Sequence, residues 1–72
     1  MIKVRLLTKG GYQSMINVPL GTIFKAKLRK GATLSMAIIS RKDLLEAGAD
    51  GNYFTNKSLC FFIGSEVEIV EN

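Results

Sequence analysis

Seventy-two residues leave room for one domain, spanning 1–72, with one modest core, because a chain this short buries a smaller fraction of its surface than a larger domain does. Hydrophobic residues make up 47% of the sequence. That excludes a disordered chain, and no apolar run approaches the ~18 residues of a membrane span. One cysteine and no histidine exclude a disulfide framework and the usual Cys/His zinc sets, and the formal net charge of +4 points to anionic partners.

The chain opens with Met1-Ile2-Lys3-Val4-Arg5, where charges interrupt the apolar residues. A secretory signal is not expected there, and a cytoplasmic location is. Ile2, Val4 and Leu6 alternate with Lys3 and Arg5, the period of a strand with one wet face. Gly10-Gly11 permits a tight turn. Tyr12, Ser14, Ile16 and Val18 then alternate with Gln13, Met15 and Asn17, which predicts a second, weaker strand ended by Pro19-Leu20-Gly21.

Alternation returns from Thr22 to Arg29, with Thr22, Phe24, Ala26 and Leu28 on one face and Ile23, Lys25, Lys27 and Arg29 on the other. Lys30-Gly31 reads as a two-residue turn into a strand in which Leu34, Met36 and Ile38 alternate with Thr33, Ser35, Ala37 and Ile39. Ser40 to Gly48 breaks the period of two. Ser40 is placed as an N-cap, Leu44 and Leu45 as a buried edge and Gly48 as the helix stop, so one short helix is expected, held by docking on a sheet. Asp50-Gly51-Asn52 is a turn signal, and Tyr53 to Lys57 a loop.

The rest of the chain is organised around Leu59-Cys60-Phe61-Phe62-Ile63, which is apolar throughout. Gly64-Ser65 follows as a turn, and Glu66 to Glu71 alternates acids with aliphatics, so the whole reads as a hairpin. Many short strands, glycine turns and one helical turn predict a mainly β fold. It is a small antiparallel SH3-like barrel or a strongly curved sheet of five or six strands with one short helix. If the first and last strands pair, Lys3 and Arg5 face Glu66 and Glu68 across the ladder.

Three segments carry a resemblance: Leu6-Leu7-Thr8-Lys9-Gly10-Gly11-Tyr12, Ile39-Ser40 with Leu44 and Gly48, and Gly64-Ser65-Glu66-Val67-Glu68-Ile69-Val70-Glu71. Together they resemble a group of small phage-encoded proteins of unknown role with an SH3-like barrel. The matching positions are mainly turn glycines and core aliphatics. The resemblance implies a short non-enzymatic phage product acting on a host component in the host cytoplasm, and it carries over no functional residue.

The chemistry of an enzyme is largely missing. Without histidine the commonest general base and the usual triads are gone, and Cys60, inside the apolar run, reads as a small buried hydrophobe rather than a nucleophile. Glu66 and Glu68 on a strand face, and Asp43 and Glu46 on a helix surface, read as solvated or salt-bridging charges. Gly10-Gly11 lacks the context of a phosphate-binding loop. No cofactor is expected.

Charge is laid out unevenly. Lys3, Arg5, Lys9, Lys25, Lys27, Arg29 and Lys30 all precede Ala32 with no acid among them, and every acid comes later. Lys25, Lys27 and Arg29 on one strand face, with Lys3 and Arg5, form a candidate partner-binding surface for a host protein's acidic face or for phosphates. A solubilising face neutralised by nearby carboxylates is the competing reading. Three functions stay open: an interaction protein such as an inhibitor of a host component, a basic nucleic-acid-binding barrel, or an oligomer that sequesters an anionic nucleotide. A homodimer is expected, because Phe62, Ile23 and Leu7, together with Ile39, fall on outward faces and form an apolar patch that a small monomer seldom leaves exposed.

Overall fold

A computed structural model describes all of residues 1–72 as one five-stranded antiparallel sheet with one short helix. The strands are β1 (Ile2–Leu6), β2 (Ile23–Lys30), β3 (Ser35–Ser40), β4 (Ser58–Phe62) and β5 (Val67–Glu71), and α1 spans Arg41–Glu46. They lie in the order β4-β3-β2-β1-β5. No helix is long and apolar enough to cross a membrane.

Register follows from the alternation of side chains. The ladder pairs Val4 with Phe24 and Ile2 with Ala26, then Ala37 with Phe61 and Ile39 with Leu59, then Leu6 with Val67, so in each of these pairs a buried residue faces a buried one. A one-residue slip would turn each of these sets to solvent. β2 changes partner in its middle: Ile23 to Ala26 pair with β1, and Lys27 to Lys30 pair with β3. The sheet bends there, with the small, fully buried Ala26 and Ala37 on its inner side.

The sheet is strongly curved but does not close into a barrel. β4 and β5 lie at opposite edges, so Leu59 to Glu71 is not a hairpin. The one β-bridge between the two segments is the isolated Ile63–Val67 pair, with Gly64 N–H donating to the Val67 carbonyl (2.7 Å) and Glu66 N–H to that of Phe62 (3.0 Å). Gly64, at φ 105°, lets the chain leave β4, and β5 then crosses to β1. There the acids of β5 meet the cations of β1: Arg5–Glu68 at 3.2 Å and Lys3–Glu71 at 3.8 Å. Glu66 takes no part, since its Oε1 accepts the Phe62 N–H at 2.8 Å.

Tyr12 to Val18 is not a strand. Gln13–Met15 forms a 3-10 turn, with Ser14 and Met15 both buried, which two neighbours on a one-sided strand could not be. Gly10 and Gly11, at φ 65° and 75°, reverse the chain into it, and the Lys9 ammonium donates to the carbonyls of Ile16 and Val18. Lys30-Gly31 is not a two-residue turn either: Gly31 to Leu34 connects β2 with β3, closed by Gly31 N–H to the Leu34 carbonyl at 2.8 Å.

α1 forms as expected, with Ser40 Oγ accepting from Asp43 N–H at 3.3 Å and Gly48 following its end at φ 112°. Only Leu44 enters the core; Leu45 is 38% exposed. Met15, Val18, Leu44, Ala49 and Phe54 come from the connections and cover the concave side of the sheet. Arg41 fastens the last of these, donating to the carbonyls of Phe54 (2.5 Å) and Gly51 (3.2 Å) and lying 4.6 Å from the centre of the Phe54 ring.

Phe61 is the largest fully buried side chain and packs edge-on against Tyr12, ring centres 5.3 Å apart. Phe61→Ala is expected to cost about 3–5 kcal/mol, comparable to the whole stability of a small domain. Thermal and urea unfolding will measure it, and a variant melting near the parent would contradict the placement.

Candidate functional site on the outer face of the sheet

The convex face is read off the register. Across it run four rows: Arg29, Met36 and Phe62; Lys27, Ile38 and Cys60; Glu71, Lys3 and Lys25; Glu68, Arg5 and Ile23. Lys25, Lys27 and Arg29 are exposed at successive outward positions of β2, each step about 7 Å. All five expected partner-binding residues therefore share one face.

Their neighbours divide them. Lys3 and Arg5 are paired with Glu71 and Glu68, and Lys9 and Arg41 spend their donors on backbone carbonyls. Lys25, Lys27, Arg29 and Lys30 hold no ion pair and no side-chain hydrogen bond. The carboxylates of Glu66 and Asp50 accept backbone N–H groups at 2.8 and 2.9 Å. Ion pairs thus hold the cations of β1, while Asp43 and Glu46 lie near Lys25 without pairing to it.

Beyond Lys27 the sheet splits. The β2–β3 ladder ends at Lys27 opposite Ile38, and β3 ends two residues later at Ser40, where the chain turns into α1. A cleft of about 240 Å³ opens in the split, lined among others by Lys25, Lys27, Lys57, Ser40, Ser58 and Asp43. Lys57 was missing from the sequence-derived set, being far from β2 along the chain. Two contacts bring it here, the Ser40–Ser58 register and Arg41 N–H donating to the Lys57 carbonyl at 2.7 Å. On the other side of Asp43 a shallower cleft of about 430 Å³ adds Ile23 and Glu46.

The residues expected to form an oligomer interface are not brought together. Phe62 lies in the Arg29 row and Ile23 in the Arg5 row, separated by six residues of β2 or about 20 Å. Leu7 is half-buried beyond the end of β1, and Ile39, expected outside, is fully buried. Its apolar neighbour Ile38 takes the outward position, because Ile39 pairs with the inward Leu59. Phe62 is 40% exposed and sits beside the half-exposed Met36, so apolar surface on this face gathers at the β3–β4 end. Cys60 is half-buried on the outward side, not enclosed as expected.

Tyr12 is the one group whose protonation is clearly shifted. Burial first, then the charges of Glu66 and Cys60, raise its phenol above the ordinary 10.0, and the phenol donates to the Cys60 carbonyl at 3.1 Å. A raised folded-state value gives stability that is complete below about pH 10 and is lost as pH rises through the folded value. Between about pH 9 and about pH 11, Tyr12→Phe is expected to lose less stability than the parent in chemical denaturation, while equal losses would place the phenol in solvent.

Comparison with family models, curated proteins and solved structures finds no match for this chain.

Proposed function

We propose that this chain is a non-enzymatic interaction protein that docks an acidic protein surface on the outer face of β2 and β3. The observation carrying this reading is that Lys25, Lys27 and Arg29 stand unpaired on that face, with Glu68 and Glu71 held by β1 and Asp50 and Glu66 by backbone N–H groups. Desolvating a cation in an interface is costly unless the partner supplies a carboxylate, so an unpaired ladder selects for acidic partners and speeds their association.

A protein is favoured over a nucleic acid by what lies beside the cations. Lys27 and Arg29 are flanked in register by Ile38 and Met36, with Cys60 and Phe62 one strand further. An apolar strip next to a cationic one suits the mixed surface of a protein partner, and no aromatic ring adjoins Lys25 or Lys27 to stack a base. The resemblance to small phage-encoded proteins supports a host component as the partner, and docking would then act as inhibition of it.

The test is retention of a protein from nuclease-treated host lysate, with the triple variant Lys25→Glu, Lys27→Glu, Arg29→Glu alongside. Juxtaposed like charges cost several kcal/mol, so binding of the retained protein should fall by at least about a hundredfold while the circular dichroism of the variant stays that of the parent. A folded triple variant with unchanged affinity, or release of the partner by nuclease, would overturn the reading.

Self-association is a second reading, favoured by the exposed Phe62 beside Met36 near the end of the edge strand β4. A two-fold dimer across that end would cover both residues. Sedimentation equilibrium at micromolar concentration should give a dimer for the parent and a folded monomer for Phe62→Glu. A parent that is monomeric throughout would refute it.

A further inference from the structure

We propose that the cleft where β3 parts from β2 is a binding site for the phosphate group of a small phosphomonoester. It shares Lys25 and Lys27 with the docking face and rests on that reading only for those two residues. Lys25, Lys27 and Lys57, with Ser40 and Ser58, line one cleft of about 240 Å³ together with Met1, Ile38 and Asp43. None of the three lysines has a partner within the chain. Ser40 Oγ accepts from Asp43 N–H, which leaves its own proton free to donate.

The chemistry of the lining selects the ligand. Against the lysines stands one carboxylate, Asp43, so the lining is net positive and suits a dianionic phosphomonoester better than a carboxylate or phosphodiester with one negative charge. Several donors from three separate segments suit an oxyanion with three terminal oxygens better than the two-oxygen edge of a carboxylate. The volume is below the roughly 300–1,000 Å³ of sites that enclose whole drug-sized ligands, so the cleft holds a head group and its first attached atoms. Its geometry has a structural origin: β2 stays with β1 while β3 turns into α1, so Lys25 lacks a β3 partner and faces the gap.

The experiment is a ¹H–¹⁵N NMR titration with glycerol 3-phosphate at constant ionic strength, with acetate and dimethyl phosphate as comparison anions. Saturable shifts centred on Lys25, Ser40, Lys57 and Ser58 are expected, with both comparison anions at least tenfold weaker. Lys57→Gln, outside the β2 ladder, should weaken glycerol 3-phosphate at least tenfold and leave binding of an acidic protein partner unchanged, and Arg29→Glu should do the reverse. Ser58→Ala gives a second, milder variant with the same expected direction. Because only the dianion is matched and the chain has no histidine, affinity should fall about fourfold from about pH 7.5 to about pH 5.5 as the phosphate takes up its second proton. Equal binding of acetate, shifts spread evenly along Arg29, Lys30 and Lys3, or full affinity in Lys57→Gln would each overturn the proposal, whatever the fate of the protein-docking reading.

Discussion

The division of β2 between two partner strands is the constraint on which the rest of this structure depends. A strand paired along its full length on both sides would give a flatter sheet with its cations set among regular neighbours. Here the first half is held by β1 and the second by β3, and the change falls at Ala26 and Lys27. The inner face at that point carries Ala26 and, from β3, Ala37, both fully buried and small enough for the two halves of the sheet to curl toward Phe61. The same division opens the cleft beside Lys25, because β3 has no reason to follow β2 once its ladder has ended and Ser40 has begun to cap α1. One choice of pairing therefore sets the curvature, the core and the surface feature of most functional interest.

The distribution of ion pairs follows from the topology rather than from proximity in sequence. β5 carries two acids three residues apart and is delivered to β1, where a register shift lets Glu68 and Glu71 meet Arg5 and Lys3. Exposed pairs of this kind contribute little, about 0–1 kcal/mol, so their consequence is less stability than selection: they satisfy the cations of β1 and leave those of β2. Lys3 and Lys25 are also directly opposed in the ladder, an arrangement that like charges disfavour.

Much of the fold could be read from the sequence, and the failures have physical causes. Alternation in Ile2 to Leu6 and Ile23 to Lys30 has one dominant phase, so those strands and their wet faces were legible, whereas in β5 it breaks at Val70 and Glu71 reaches Lys3 through a register shift. In Ile38-Ile39 both phases are apolar, and only the partner strand decides which is buried; pairing with Leu59 sends Ile39 inward. Tyr12 to Val18 shows a strand period by accident of composition, while the folding signal lay in the two glycines before it and in Lys9, whose reach to two carbonyls no periodicity reveals. The hairpin expected around Gly64 failed because a turn between adjacent apolar and alternating segments does not specify that they pair with each other. β5 finds stronger complementarity in the cations of β1. Of the site, the β2 ladder was legible because its residues are close in sequence, whereas Lys57 joins it through the β3–β4 register and the Arg41 N–H bond to its carbonyl.

An uncompensated cationic face on β2 is the central claim, and its most direct test is the dependence of thermal stability on sodium chloride from about 0.02 M to about 0.3 M. Like charges about 7 Å apart repel by about 0.6 kcal/mol even at the dielectric constant of water, and the screening length at about 0.1 M salt is about 10 Å. The account predicts that the melting temperature rises with salt over this range and that the rise is largely lost when Lys25, Lys27 and Arg29 are all replaced by Gln. A melting temperature that falls with salt in the parent would mean that attraction dominates this face and that its cations are already paired.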